Sequence, residues 1–163
     1  AVELLQRLIK DEIKTRTKKN VVQARSFLEL LESTVKKYQN RAIEAAQVIE
    51  ELIALAKDMR EAQSRGKATG LNDDEIAFYD ALADNGSAAA VMGEPTLQQI
   101  ARELVEAVRK NVSIDWAVRE NVRANLRTIV KRILRRHGYP PDKQDAATKL
   151  VLQQAEVLCE TWG

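Results

Sequence analysis

The residues with the greatest capacity for chemistry are cations. Between positions 119 and 137 stand Arg119, Arg123, Arg127, Lys131, Arg132, Arg135 and Arg136 against one acid, Glu120. That is a local formal charge of +6 in a chain whose total is only +2. Arg119, Arg123, Arg127, Lys131 and Arg135 recur at every fourth position. On a helix, residues four apart are neighbours, and such a row winds by about 40° per step because four residues overshoot a 3.6-residue turn. Like charges at this spacing repel by a few tenths of a kcal/mol per pair, so something must offset them. Acids of neighbouring helices, for instance Glu44, Glu51, Asp58 or Glu103, are one solution. A phosphate backbone or an acidic protein surface is another, and the planar donor fork of arginine suits both. No aromatic residue interleaves with the row, which argues against a platform for stacking single-stranded bases. No recognition-helix motif is present, so any contact with duplex DNA would be non-specific and salt-sensitive.

The other reactive side chains offer less. His137 is the only histidine and Cys159 the only cysteine, which excludes a disulfide framework and zinc sites of the His/Cys type. His137 stands among Arg135 and Arg136 where a helix should end, a place favoured by the helix dipole. Cys159 reads as a small, buried or half-buried apolar residue rather than a nucleophile. The acid pairs Glu50-Glu51 and Asp73-Asp74-Glu75 fall on helical patterns, where adjacent side chains diverge by about 100°. The first suits a solvated face and the second a helix N-terminus. The phosphate-binding loop GxxxxGK[ST] and the dinucleotide fingerprint GxGxxG are both missing. The expectation is a chain without catalytic, cofactor-binding or metal residues of its own. No apolar run approaches the roughly 18 residues of a membrane span. One Cys makes a reducing, intracellular setting the default. Val2 already sits in a helical pattern without an initiator Met, so a piece of something longer is expected.

The elements that must hold these residues are helices. Apolar content is 45 % but aromatic content only 4 %, so the core is built from Leu, Ile, Val and Ala, which favours helices over a β-sandwich. Val2, Leu5, Leu8, Ile9 and Ile13 mark a first amphipathic helix, followed by a basic connector with Lys14, Arg16, Lys18 and Lys19. Val21, Ala24, Leu28, Leu31, Val35, Tyr38, Ala42, Ala45, Ile49, Leu52, Ala56 and Met59 then form a heptad seam without Gly or Pro. It is one long helix or two abutting ones, with Tyr38-Gln39-Asn40 as the place to break because Asn can cap a new start. Ile43, Val48 and Leu55 widen the apolar face, as a bundle requires.

Gly66 to Gly70 ends this part. Asn72 caps a helix buried through Ile76, Tyr79 and Leu82 and stopped by Asn85-Gly86. Ser87 to Glu94 is a loop or a short turn of helix. Pro95-Thr96 starts a helix with Leu97, Ile100, Ala101, Leu104, Val105 and Val108 inward. Asp115 is placed to cap the basic helix, and Trp116 reads as core. Val118, Val122, Leu126, Ile129 and Ile133 form that helix's inner stripe, and Gly138 with Pro140-Pro141 ends it. A last helix begins at Asp142, with Ala147, Val151 and Leu158 inward. The fold class is therefore all-α: a multi-helix bundle containing one long or two abutting heptad-patterned helices, and no sheet. It forms one helical domain over 1–163, with the long-helix part at 1–66 and shorter helices at 71–163.

The string NVSIDWAVRENVRANLRTIVKRILRRHGYPPDKQ, residues 111–144, resembles the C-terminal helical domain of the restriction (R) subunit of type I restriction-modification enzymes. LNDDEIAFYDAL at 71–82 and KYQNRAIEAAQVIEELIALAK at 37–57 resemble the same family, in the same order. The family's block maps onto Asp115, Trp116, Arg119, Arg123, Arg127, Lys131, Arg132, Gly138, Tyr139, Pro140, Pro141 and Asp142. His137 stands where an aromatic Tyr is common. The resemblance implies a parent subunit with a nuclease domain of the PD…(D/E)xK kind and two motor domains that bind ATP and Mg²⁺. Such a subunit translocates duplex DNA and cleaves it in complex with modification (M) and specificity (S) subunits. It implies a non-catalytic helical domain here, docking the R subunit on the M/S core, with the Arg-rich helix or the long heptad helix as the expected contact. The alternatives are a contact between the basic helix and the DNA backbone, or a brace on the chain's own upstream motor domains. A cytoplasmic location is expected, in keeping with the reducing setting that a single Cys makes the default. None of the family's catalytic residues falls on this sequence.

Overall fold

A computed structural model describes residues 1–65, 69–84, 86–111 and 119–162. The described residues form helices and no strand, as an all-α composition requires. The chain divides into two compact units, Ala1–Gly70 and Leu71–Gly163.

The first unit packs three helices on one another: α1 (Val2–Thr17), α2 (Val21–Gln39) and α3 (Ala45–Gln63). Its core joins Ile9 and Ile13 of α1, Ala24, Phe27 and Leu31 of α2, and Val48, Leu52, Leu55 and Met59 of α3. The heptad seam is thus two helices, broken after Asn40. The break lies where Asn marks it, but the mechanism is a stop rather than a start. Asn40 closes α2, and Arg41 takes the left-handed conformation at φ 56°. The Ala42 N–H reaches back to the Lys37 carbonyl at 2.8 Å, and the Arg41 N–H to that of Tyr38 at 3.0 Å. This pair of bonds is the Schellman termination, normally built on glycine. Glu44, not Asn40, precedes the first turn of α3. The seam's middle members, Tyr38, Ala42 and Ala45, are consequently exposed.

Two further expectations are corrected in this unit. The connector is still helical through Thr17, and Arg16 is buried. Its guanidinium donates to Glu12 Oε1 at 3.3 Å and to Gln23 Oε1 at 3.2 Å, and lies 5.7 Å from the centre of the Phe27 ring. A cation can be buried there because both carboxylate and π-face compensate its desolvation. Leu8, expected inward, is exposed. Asn20 caps α2 by accepting from the Gln23 N–H at 3.0 Å.

The second unit contains α4 (Asp73–Ala83), α5 (Gly86–Met92), α6 (Glu94–Asn111), α7 (Arg119–Arg136), a 3₁₀ turn at Pro141–Lys143, and α8 (Gln144–Trp162). Asn72 caps α4 as the sequence indicates, in a reciprocal capping box: the Glu75 N–H donates to Asn72 Oδ1 at 2.8 Å, and the Asn72 N–H to Glu75 Oε1 at 2.9 Å. The stretch from Ser87 resolves into the short helix α5, and the start expected at Asp142 is the 3₁₀ turn leading into α8.

α4 packs on both α6 and α8, and α7 packs on both α8 and α6. A helix held between two neighbours buries a wide arc, and the expected stripes shift accordingly. In α4, Ala77, Phe78 and Ala81 join Ile76 and Leu82, while Tyr79 is only half-buried. In α7 the buried residues are Leu126, Val130, Ile133 and Leu134; Val122 and Ile129 are half-buried. All six expected core residues of α6 are buried, as are Ala147, Val151 and Leu158 of α8. Gly66, Asn85, Asp115, Trp116 and Val118 lie outside the described residues, and with them the capping and core roles expected there.

Candidate functional site: the basic helix

α7 carries all seven expected cations, from Arg119 at its start to Arg136 at its end. Its termination fixes their angular phase relative to the core. Gly138 adopts φ +75°; the Tyr139 N–H donates to the Leu134 carbonyl at 2.9 Å and the Gly138 N–H to that of Arg135 at 3.1 Å. This is a second Schellman stop, here on the expected glycine. Tyr139, the residue just beyond, is buried, and its hydroxyl donates to the Leu82 carbonyl oxygen of α4 at 2.7 Å. The Gln144 side-chain amide donates to the Tyr139 carbonyl at 2.9 Å. The end of α7 is thus tied to both α4 and α8. Burial, reinforced by the charge of Asp84, pushes the Tyr139 phenol up to about 12, so it stays protonated as a donor. The Gly-Tyr-Pro-Pro string signals a rigid turn, but not the Tyr139 anchor, whose partner is 57 residues away.

Part of the row is neutralised within its own unit. Arg123 faces Glu156 of α8 at 3.6 Å, and Lys131 faces Asp145 of α8 at 3.2 Å. Arg136 binds Glu103 of α6 at 2.9 Å, and His137 hydrogen-bonds the other oxygen of the same carboxylate. Glu103 is therefore clamped by two residues of the α7 terminus. Arg127, Arg132 and Arg135 are exposed and form no ion pair among the described residues. The side chain of Arg119 is not described. Of the partner acids, Glu103 is anticipated by the sequence; Asp145 and Glu156 carry no local signal and are not. Paired and outward cations thus share one helix.

Among the described residues no group of three or more His, Cys, Asp or Glu could hold a metal ion. Cys159 is buried, and burial pushes its thiol up to about 11, which suppresses the nucleophilic thiolate. No helix among the described residues is long and apolar enough to cross a membrane.

The first unit holds the other notable surface. An open groove of about 340 Å³ between α1 and α3 is lined by Leu5, Leu8, Ile9, Ala56 and Met59, with Glu12, Arg16, Arg60 and Gln63 also in its wall. Leu8 is 57 % exposed and its neighbour one turn earlier, Leu4, 62 %. The sequence signals the apolar residues of α1 but not that one helical stripe of them remains outside the core.

These features belong to a known class of subunit. Residues 1–161 match the family described as type I restriction enzyme HindI endonuclease subunit-like, C-terminal. The chain belongs to that family. It is 37 % identical over 159 residues to the type I restriction enzyme HindI endonuclease subunit of Haemophilus influenzae, an alignment covering 98 % of this chain and 15 % of that protein. It is 31 % identical over 137 residues to a protein of Methanocaldococcus jannaschii assigned as the MjaIXP type I restriction endonuclease subunit, covering 83 % of this chain and 13 % of the other. The chain therefore spans about one seventh of the length of these relatives. No solved structure matches it.

Proposed function

We propose that this chain is a non-catalytic assembly domain, docking a DNA-translocating, ATP-dependent endonuclease subunit onto its methyltransferase and specificity subunits. The observation that carries the reading is the apolar surface of the first unit: Leu4 and Leu8 beside the α1/α3 groove. Exposed leucines next to an apolar concavity are unfavourable in water by roughly 25 cal/mol per Å², and a partner side chain seated there removes that area from water. Protein interfaces concentrate such apolar contacts at their centre and surround them with charge. Glu12 and Arg60 supply charge beside this groove. Family membership names the class of complex in which the partner is sought.

Competition tests the reading. A reconstituted complex of endonuclease, modification and specificity subunits receives an excess of this chain. The chain is expected to displace the endonuclease subunit, so that ATP-dependent cleavage falls while methylation continues. Cleavage that persists at saturating chain contradicts the docking role.

A further inference from the structure

The groove of the first unit leaves the outward arginines of the second unexplained, and they point to a different partner. At 100° per residue, the buried residues of α7 (Leu126, Val130, Ile133 and Leu134) occupy one side of the helix. By the same geometry Arg127, Arg135 and Arg132 fan across about 140°, from the edge of that side round the opposite one. The residues between and beside them are mostly short and polar or small: Asn121, Ala124, Asn125 and Thr128, all exposed. The Thr128 hydroxyl is turned back onto the Ala124 carbonyl at 3.2 Å, which keeps the centre of the face low. Lys131 lies within the fan and adds a cation held by Asp145. The one acid of α7, Glu120, stands two turns before Arg127. Arg123, exposed on the flank that meets α8, and Arg136, at the helix end, find Glu156 and Glu103 on adjacent helices. Among the described residues, Arg127, Arg132 and Arg135 have no such acid.

We infer that this outward face of α7 contacts the phosphate backbone of duplex DNA, independently of sequence, through Arg127, Arg132 and Arg135. Charge complementarity selects the partner class. A protein partner would be expected to meet an apolar or aromatic centre, and among the described residues the exposed ones of this face include no apolar side chain larger than Ala124. A single strand would want aromatic rings to stack on, and the α7 sequence contains none. A duplex needs neither. It presents a phosphate about every 3.4 Å along each strand, and the guanidinium fork binds phosphate oxygens in pairs. From Arg127 to Arg135 the helix rises about 12 Å, so a strand running beside it offers an oxygen within reach of each arginine. The short side chains between them allow the backbone to approach closely. The inference rests on the charge pattern of the second unit and stands or falls apart from the docking role of the first.

The test is fluorescence anisotropy of a labelled mixed-sequence duplex titrated with the 163-residue chain from about 50 to about 200 mM salt. Three phosphate contacts give a slope of about −2.7 in log affinity against log salt, a loss of about 40-fold across that range. Arg127→Gln/Arg132→Gln/Arg135→Gln should abolish the binding at unchanged helicity. Arg123→Gln, which removes a cation already paired with Glu156, should leave the slope as it was. The triple Arg→Lys variant keeps the charge and should retain the salt slope at reduced affinity. Absence of duplex binding at the lower salt overturns the inference, as does binding that survives the triple Gln variant. Affinity for poly-glutamate equal to or greater than that for duplex also overturns it, and makes the face a site for an acidic protein.

Discussion

At the scale of single residues, Tyr139 does the most to set the position of the basic helix. Its hydroxyl donates to the Leu82 carbonyl inside the second unit, and replacing it by hydrogen leaves a buried acceptor unpaired. Tyr139→Phe should therefore cost about 1–3 kcal/mol of unfolding free energy in urea. The burial of the phenol, with the nearby charge of Asp84, also has a pH signature. The folded phenol titrates at about 12 against 10.0 for the free group, so the folded state holds its proton over a range where the unfolded chain loses it. The contribution is complete below about pH 10 and is lost as pH rises towards 12, at up to about 1.4 kcal/mol per pH unit. The Phe variant should lack this component, and unfolding curves at pH 9, 10.5 and 11.5 read the difference. Cys159 gives a simpler expectation. With its thiol raised to about 11, the thiolate fraction at pH 8 is on the order of 0.1 %. Alkylation by iodoacetamide should be slow in the native chain and rapid in urea; fast native labelling would contradict the burial.

At the scale of elements, two helices end in the same way on different residues. Gly138 closes α7 and Arg41 closes α2, both in the left-handed conformation. A Cβ at Gly138 would meet nothing within 4 Å, so Gly138→Ala loses only the backbone term, about 1 kcal/mol. Arg41→Gly should run the other way and stabilise the first unit by up to about 1 kcal/mol. Opposite shifts in thermal midpoint between the two variants are the check. The Arg41 stop is not legible in the sequence, since arginine carries no turn signal and the apolar seam runs on through Ala42 and Ala45. Asn40 does mark the place. The stripe of α6 is legible because its apolar residues keep one helical face. Those of α4 and α7 are centred elsewhere than their periodicity suggests, because each helix is held between two others, and Val130 and Leu134 widen the buried arc of α7. Arg16 looks like part of a solvated basic run, and its burial depends on Gln23 and Phe27 of the next helix. Of the site, the row of cations is legible in full; which of them turn outward is not, because Asp145 and Glu156 lie on a different helix.

At the scale of the whole molecule, the two units offer different chemistry. The first presents leucines and an apolar groove, and the second a fan of arginines over a low polar face. The docking and the backbone contact proposed above would draw on one unit each. The most direct measurement of the docking role is calorimetric titration of this chain into the assembled modification and specificity core. The wild-type chain should bind saturably with a negative heat-capacity change, the mark of apolar burial. Leu4→Ser/Leu8→Ser should lower the affinity at least tenfold with helicity intact, whereas Arg127→Gln/Arg132→Gln/Arg135→Gln should leave it unchanged. No binding by the wild-type chain, or equal binding by the leucine variant, would contradict docking through the α1/α3 groove.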